Sequence, residues 1–222
     1  MMVGVLLAGG ASTRMGRPKA LVREGADSFL ARRVRTLWTA CDSVVVVLGS
    51  NAREIRAKTE QEFEQLVSSG RLHDDLQQAH RHGAAELEVE FAINPRWKQG
   101  MISSVRCGLD SALSLKPTAV MLLPVDHPMV KPITVASLAG VMLQALAACR
   151  RGRERDQFSY ALIPRFRAQR GHPIAISPAL ARAVLHDRAA DHLAEAVRRS
   201  ARMVGYLDVH DRGVVVNRNT PV

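Results

Sequence analysis

A glycine-rich segment near the start of the chain combines residue types that hold phosphate groups. It reads Leu6-Leu-Ala-Gly-Gly-Ala-Ser-Thr-Arg-Met-Gly-Arg-Pro-Lys19 and follows directly on a short apolar run. Gly9 and Gly10 let the backbone approach a ligand closely, and successive N–H groups in such a turn form an anion-binding concavity. Arg14 and Lys19 add full charges that pair with phosphate oxygens. The segment predicts a site for the phosphates of a nucleoside triphosphate, and a glycine-rich turn with solvated cations is the alternative.

Two common phosphate motifs do not describe this segment. A Walker loop requires Gly-Lys-Ser or Gly-Lys-Thr, and neither tripeptide occurs in the chain. The dinucleotide fingerprint G-x-G-x-x-G is not supplied by the residues from Gly9 to Gly16. The segment is therefore neither of the two commonest phosphate-binding motifs.

A carboxylate follows a second buried strand. The apolar run 119–123 leads into Pro124-Val-Asp-His-Pro128, in which Asp126 is the acidic residue. Mg²⁺ prefers one or two carboxylates together with phosphate oxygens. Asp126 is therefore a candidate metal ligand, and a helix-capping or turn residue is the alternative interpretation.

Strand and helix patterns alternate along the whole chain, which predicts an α/β fold with a mostly parallel sheet. Strands are predicted at 3–7, 44–48, 87–93, 119–123, 158–163, 173–176, 203–209 and 214–216. Helices are predicted at 29–41, 52–66, 105–115, 132–149, 178–186 and 189–200. Ligands of such sheets bind beyond the carboxyl ends of the strands. The loops 9–19, 49–51, 94–104 and 124–128 are thus expected along one rim.

Composition favours a cytoplasmic protein with one domain over residues 1–222. The chain has 222 residues, of which 47% are hydrophobic, enough for one full core. No apolar run approaches the roughly 18 residues that span a bilayer, and the first residues lack the basic region of a cleaved signal. Three widely spaced cysteines fit reduced thiols better than disulfides or a zinc site.

The net charge of +10 favours an anionic partner. Nucleic-acid binding is one alternative, but aromatic residues make up only 4% of the chain and no compact basic helix is present. The electrostatic field of this positive charge would also attract a nucleotide or a phosphorylated small molecule. The polar segment 67–86 carries His80 and His82, but their spacing is not that of metal-binding histidines, so a solvated surface is favoured there.

Five segments, in order, resemble the molybdenum cofactor cytidylyl- and guanylyltransferases of the wider nucleotidyltransferase fold. The first is Leu7-Ala-Gly-Gly with Arg14-Met-Gly and Lys19, and the second is Asn94-x-x-Trp97-x-x-Gly100 with Ser103-Ser104 and Gly108-Leu109. The others are Leu123-Pro-Val-Asp-His-Pro128, Gly171-His-Pro173 and Asn217-Arg-Asn-Thr-Pro221. They cover nearly the full length.

The resemblance implies a three-layer α/β/α, Rossmann-like fold of the nucleotide-diphospho-sugar transferase type, with a mixed and mostly parallel sheet. It also implies roles for particular residues. Arg14, Lys19 and Asp126 would be catalytic. The nucleotide would contact Leu7, Ala8, Gly9, Gly10, Arg14, Lys19, Asn94 and Ser103. The acceptor would contact Gly100, Ser104, Gly171 and His172, and Mg²⁺ would be held by Asp126 and by Asn219 or Asn217.

The implied reaction moves a nucleoside monophosphate from an NTP to a phosphorylated acceptor such as molybdopterin, with release of pyrophosphate. An acceptor phosphate is largely dianionic at neutral pH and needs no general base. The first loop matches the guanylyl branch, whereas the segments at Asn94 and Gly171 match the cytidylyl branch, so CTP is favoured over GTP and both remain open. Partners would be the NTP, the acceptor, and molybdoenzymes or their chaperones, with no nucleic acid and no membrane. Another phosphorylated acceptor and a non-catalytic cofactor-binding chaperone are the alternatives.

Overall fold

A computed structural model describes residues 1–10, 18–69, 88–149 and 157–218. The helices are α1 (Phe29–Trp38), α2 (Ala52–Ser68), α3 (Met101–Ser114), α4 (Pro132–Ala148), α5 (Pro178–His186) and α6 (Leu193–Ser200). The strands are β1 (Met2–Ala8), β2 (Arg23–Glu24), β3 (Asp27–Ser28), β4 (Ser43–Leu48), β5 (Glu88–Ile93), β6 (Ala119–Pro124), β7 (Tyr160–Phe166), β8 (Gln169–Arg170), β9 (Ile174–Ile176) and β10 (Met203–Asp208).

The central sheet is mixed and mostly parallel, as predicted. Its order is β10-β7-β9-β6-β1-β4-β5, with β8 added beside β7. The strands β6, β1, β4 and β5 are parallel, whereas β9 runs antiparallel to both β6 and β7. Every residue of β1, β4 and β6 is buried, which is why these strands appear in the sequence as continuous apolar runs.

Helices cover both faces of this sheet and make three layers. One apolar cluster packs α1 and α4 against alternate residues such as Leu6 and Leu123. The other packs α3, α5 and α6 against the intervening residues such as Val5 and Leu122. The predicted α/β/α architecture is confirmed, and successive strand residues serve opposite cores because side chains alternate across a strand.

Local sequence signals explain where several helices begin. The Ser28 hydroxyl accepts a hydrogen bond from the Ala31 N–H at 3.1 Å, and Ser177 caps the Leu180 N–H at 3.3 Å. Pro132 and Pro178 occupy the first turns of α4 and α5, where a missing N–H costs nothing.

The direction of the strands brings separate loops to one edge. Because β1, β4, β5 and β6 are parallel, residues after Ala8, Leu48, Ile93 and Pro124 all lie at the carboxyl edge of the sheet. The antiparallel β9 begins at this same edge, so the Gly171-His172-Pro173 segment that precedes it lies there as well. The predicted rim is therefore present and is extended by a segment from the second half of the chain.

Some predicted elements differ from the structure or lie outside the described residues. The strand predicted at 214–216 is wrong: the Asp211 side chain accepts a hydrogen bond from the Gly213 N–H at 2.8 Å and holds a short 3₁₀ turn at Arg212–Val214. The helix α3 begins at Met101, earlier than predicted, and α6 begins at Leu193, later than predicted. Residues 11–17, 70–87, 150–156 and 219–222 are outside the description, and with them Arg14, Asn219 and most of the 67–86 segment.

Candidate nucleotide-binding site

The start of the glycine-rich segment is packed tightly between two other loops. A Cβ on Gly9 would lie 2.8 Å from the Ser104 hydroxyl, and the Gly9 carbonyl accepts a hydrogen bond from the Ser50 N–H at 3.3 Å. A Cβ on Gly49 would overlap the same carbonyl and lie 2.5 Å from the Trp97 Cβ. Glycine is required at position 49, because the Gly9 backbone and the Trp97 side chain approach too closely for a Cβ, whereas a Cβ at position 9 would have to displace the Ser104 hydroxyl.

The space beside Gly10, the next residue after Gly9, is open. It is exposed, and a Cβ there would meet no atom within 4 Å. The chain is described again from Pro18, and Lys19 begins the 3₁₀ turn Lys19–Leu21. Gly10 and Lys19 thus stand on either side of the undescribed residues 11–17, which include Arg14.

Lys19 and Asp126 come together across the rim. The Lys19 Nζ lies 3.9 Å from the Asp126 Oδ2, and each side chain is 18% exposed. The other carboxylate oxygen of Asp126, Oδ1, is buried and has no hydrogen-bond partner among the described residues. The rim therefore presents a partly buried cation and a partly buried carboxylate side by side, and the Asp126 Oδ1 would gain by binding a cation.

A cavity of about 240 Å³ surrounds this pair. Five of the residues predicted for the site line it, namely Leu7, Ala8, Gly10, Lys19 and Asp126, and they are joined by Pro18, Ala20, Ile55, Met101, Pro124 and Val125. Met101 is the first residue of α3, so the N-terminal end of a 14-residue helix adjoins the cavity. Helix N-termini favour anions, since their free N–H groups and dipole point outward.

Asn94, Ser103 and Ser104 form a hydrogen-bonded group under the rim. The Asn94 amide donates to the Ser103 hydroxyl at 2.9 Å and to the Ser104 hydroxyl at 3.0 Å. The Ser103 hydroxyl also bonds the carbonyls of Arg96 and Gly100, at 2.9 and 2.8 Å. Asn94 and Ser103 thereby fix the loop that carries Gly100. The Ser104 hydroxyl packs against Gly9. Their predicted contact with the nucleotide remains a prediction.

Gly100 has a positive φ of 89° and precedes the first residue of α3. A β-branched or bulky residue would be strained in that conformation. Glycine at position 100 therefore allows the 3₁₀ turn Trp97–Gln99 to be followed directly by α3.

Gly171 and His172 lie close to the Asp126 turn. The His172 N–H donates to the Val214 carbonyl at 2.9 Å, and a Cβ on Gly171 would overlap that carbonyl. The His172 ring lies 4.9 Å from the ring of His127, centroid to centroid. Burial lowers the pKa of His172 to about 3, with His127 as a second cause, so the imidazole is neutral at pH 7. Burial also lowers the pKa of His127, against the raising effect of Asp126.

Buried polar residues that the sequence reasoning missed hold the Asp126 turn. Arg33 on α1 is 2% exposed, and its guanidinium donates to the carbonyls of His127 and Val130 at 3.3 and 2.8 Å. Burial lowers the pKa of Arg33 to about 10. Asp211 is 3% exposed and accepts hydrogen bonds from the Lys131 N–H at 2.8 Å and the Thr134 hydroxyl at 2.7 Å. These bonds fasten the turn to α1 and to the 211–214 loop.

The donor set around Asp126 suits a metal that is shared with a ligand. Within the described part of the chain, no group of three His, Cys, Asp or Glu side chains is placed to hold a metal ion. The free Oδ1 of Asp126 offers one hard oxygen ligand, which is the number Mg²⁺ commonly takes from protein when phosphates supply others. The Arg218 N–H donates to the Asp126 carbonyl at 2.8 Å. The residue before Asn219 is therefore fastened to the predicted metal ligand.

Comparison with known proteins agrees with this architecture. Residues 4–204 match the model of the MobA-like NTP transferase domain. A nicotine blue oxidoreductase from Paenarthrobacter nicotinovorans is 30% identical over 214 residues, which cover 95% of this chain and 88% of that protein.

Solved structures share the fold at lower identity. Rv0371c from Mycobacterium tuberculosis superposes with a TM-score of 0.67 at 20% identity, covering 99% of this chain and 93% of that one. Its manganese complex gives 0.58 at 19% identity, over 94% and 88% of the two chains. Molybdopterin-guanine dinucleotide biosynthesis protein A from Archaeoglobus fulgidus gives 0.58 at 19% identity, over 100% and 93%.

The fold and the rim define a protein of the nucleotidyltransferase superfamily. The chain belongs to the MobA-like NTP transferase domain family, which confirms the family resemblance seen in its five segments. In the described ranges, no helix has the length and apolar character needed to cross a membrane.

Proposed function

We propose that this protein transfers a nucleoside monophosphate from an NTP to a phosphorylated acceptor and releases pyrophosphate. The observation that carries the proposal is the convergence of Lys19 and Asp126, 3.9 Å apart, on the cavity beside Gly10 and the start of α3. A cation, the N-terminal end of a helix and a carboxylate whose Oδ1 has no partner among the described residues together suit a triphosphate and its metal.

The metal is proposed to be Mg²⁺, held by Asp126 and by the nucleotide phosphates, with Asn219 as a second protein ligand. The unpartnered Oδ1 of Asp126 supports the fit, because a buried carboxylate oxygen without a donor is best satisfied by a cation. When bound, Mg²⁺ would neutralise the charge that grows on the phosphate oxygens during transfer.

The residues of the chain would act by positioning and charge neutralisation. The N–H groups at Gly9 and Gly10 and the N-terminal end of α3 would bind phosphate oxygens, while Lys19 and Arg14 would stabilise the charge of the leaving pyrophosphate. The acceptor phosphate is a dianion near neutral pH and attacks without a general base. Holding two anions in line is then the main contribution of the protein.

The acceptor is proposed to be molybdopterin, with CTP favoured over GTP, in the cytoplasm. Ser104 beside Gly9 and the Gly100 turn would face the bound substrates, and Gly171 and His172 would shape the acceptor side. The position of Gly171 and His172 at the same sheet edge as Asp126 supports this division. Delivery of the product to molybdoenzymes or their chaperones would follow.

The activity is tested by pyrophosphate release. The purified protein is incubated with each of CTP, GTP, ATP and UTP, with Mg²⁺ and with molybdopterin or other phosphate monoesters. We expect pyrophosphate to form with one NTP in preference to the others and to require both metal and acceptor. Absence of pyrophosphate in every combination would refute the proposal.

A second candidate function comes from the relative at 30% identity, which is named as an oxidoreductase that acts on nicotine blue. The same cavity would then hold the phosphates of a reduced nicotinamide dinucleotide. Oxidation of NADH or NADPH in the presence of nicotine blue, measured at 340 nm with no NTP added, distinguishes the two. We expect no oxidation above background; steady turnover in that assay, without pyrophosphate release in the first, would favour the oxidoreductase.

A further inference from the structure

A hairpin beside the site carries three arginines. The strands β7 and β8 pair antiparallel, with Arg165 opposite Arg170, and the two residues between the strands, Arg167 and Ala168, have φ angles of 49° and 65°. This is the backbone of a tight two-residue hairpin turn. Arg165 and Arg170 therefore project on the same side of the hairpin, and Arg167 lies at its tip.

Aromatic rings and one carboxylate orient these side chains. The guanidinium carbons of Arg165 and Arg170 lie 4.9 and 5.1 Å from the ring centroid of Tyr206 on β10. The Arg165 guanidinium also donates two hydrogen bonds to the Asp208 carboxylate, at 3.0 and 2.7 Å. The guanidinium carbon of Arg167 lies 5.4 Å from the ring centroid of Phe166. Cation–π contacts and the sheet register hold the charged ends in a defined arrangement.

The positive charges in this cluster outnumber the negative ones. Arg165, Arg167 and Arg170 stand against one carboxylate, Asp208, which already bonds Arg165. Like charges directly opposite each other on neighbouring strands destabilise a sheet. A bound anion would remove that cost, and guanidinium groups with a fixed orientation bind anions better than free ones because less entropy is lost.

The hairpin stands at the same edge of the sheet as Asp126. The strands β6 and β7 both run antiparallel to β9, so their carboxyl ends point the same way. One strand separates them, which places them about 10 Å apart. The chain continues from Arg170 through Gly171 to His172, whose ring contacts His127 next to Asp126. The guanidinium groups of Arg165 and Arg170 lie over Tyr206 on β10, one strand further out, so a ligand about 10–15 Å long would reach from Asp126 to the hairpin.

We propose that the arginine hairpin binds a second anionic group of the acceptor, remote from the phosphate that reacts. The proposal rests on the proposed function, because it takes the reacting phosphate to lie at Asp126. It defines the acceptor as a molecule with two anionic ends about 10–15 Å apart. Because the second group takes no part in bond making, the hairpin raises acceptor affinity and leaves the chemical step unchanged.

The test uses a series of linear alkyl phosphates with a terminal carboxylate, whose chain lengths bracket a separation of about 10–15 Å. Their binding is measured by calorimetry with Mg²⁺ present and no NTP, so the result does not depend on turnover. The variants are Arg167→Gln with Arg170→Gln, and the matched control is Arg198→Gln at the opposite end of the sheet. The same phosphates with a terminal hydroxyl show what the phosphate contributes alone.

We expect affinity to peak at one intermediate chain length, to fall about tenfold in the hairpin variant, and to be unchanged in Arg198→Gln. The hydroxyl-terminated series should bind equally to all three proteins. Equal affinity of the wild-type and hairpin variant for every carboxylate ligand would overturn the proposal, as would affinity that does not vary with chain length. If no NTP yields pyrophosphate, the proposed activity is refuted. The calorimetric comparison of the hairpin variant with the wild type can still be interpreted in that case, because it contains no NTP.

Discussion

Among single residues, Lys19 and Asp126 define the site most directly. They are far apart in sequence and meet at 3.9 Å because each follows one of two adjacent parallel strands, β1 or β6. Both could be chosen from the sequence, since Lys19 ends the glycine-rich segment that follows the first apolar run and Asp126 lies just beyond the run 119–123. Arg33 could not be chosen from charge alone, although its spacing from Phe29 and Leu37 puts it on the buried face of α1.

Replacement of Lys19 tests its contact with the triphosphate. We expect Lys19→Met to raise the KM for the NTP at least tenfold and to lower kcat, because a charge that faces the phosphates is removed. The control Lys58→Met removes the same charge from an exposed position on α2, where Lys58 pairs with Glu54. Steady-state kinetics with varied NTP measure both. Equal KM values in the two variants would show that Lys19 does not contact the triphosphate.

Burial of His172 predicts a pH dependence of stability. Its pKa falls from 6.5 to about 3 on folding, so between these values the unfolded chain binds a proton that the folded chain does not. The free energy of unfolding should therefore fall on acidification below pH 6.5, by up to about 1.4 kcal/mol per pH unit. Denaturant titrations at several pH values measure this slope. The slope should be smaller in His172→Gln and unchanged in the exposed control His186→Gln; identical slopes in all three proteins would contradict the expectation.

At the level of elements, the buried strands and the sheet edge were predictable, and the segments that complete the site were less so. Continuous apolar runs identify β1, β4 and β6. The β-branched run 214–216 misleads because its conformation is set by Asp211, whose carboxylate bonds Lys131, Thr134 and Gly213. Hydrogen bonds between residues as far apart in the chain as Asp211 and Lys131 produce no hydrophobic periodicity that could be recognised in the local sequence.

Close packing of α3 on the sheet gives a prediction at this scale. A Cβ on Gly108 would overlap Val5 Cγ1 and lie 2.7 Å from Val47 Cγ2. We expect Gly108→Ala to destabilise the protein by about 1–3 kcal/mol, since the core there has no free volume. The matched control is Gly140→Ala on α4, where nothing lies within 4 Å of the new methyl group.

The control should stabilise the protein by about 0.5–1 kcal/mol, because alanine favours helix more than glycine does. Urea denaturation of the two variants and the wild type compares them. The same change in unfolding free energy for both variants would mean that α3 does not pack on β1 and β4 as described.

For the whole molecule, three layers bring loops from both halves of the chain to one edge of the sheet. The alternation of apolar runs and helical periods was enough to predict a mostly parallel sheet with the loops 9–19, 49–51, 94–104 and 124–128 along one rim, whereas the three layers were implied by the family resemblance. A strand was predicted at 173–176, but its antiparallel direction was not, and that direction brings Gly171 and His172 to the edge that carries Asp126. Pairing direction depends on contacts between distant segments, and a single sequence does not contain them in local form.

The net charge of +10 acts over the whole molecule and predicts a salt effect on substrate capture. We expect the association rate constant for a fluorescent NTP analogue to fall as ionic strength rises, because salt screens the attraction between a cationic protein and an anionic ligand. Stopped-flow measurements at several salt concentrations provide the rates. The uncharged nucleoside serves as the control and should associate at a rate that salt hardly changes; the same salt dependence for both ligands would contradict steering.

The claim that Asp126 and the nucleotide phosphates share a metal ion is tested most directly by Mn²⁺ binding. The wild type, Asp126→Asn and the exposed control Asp110→Asn are titrated into Mn²⁺ with CTP or GTP, and binding is followed by electron paramagnetic resonance. We expect the wild type and Asp110→Asn to bind the metal–nucleotide complex alike, and Asp126→Asn to bind it at least tenfold more weakly, because an anionic ligand becomes a neutral amide. Equal affinity of Asp126→Asn and the wild type would contradict the assignment of Asp126 as a metal ligand.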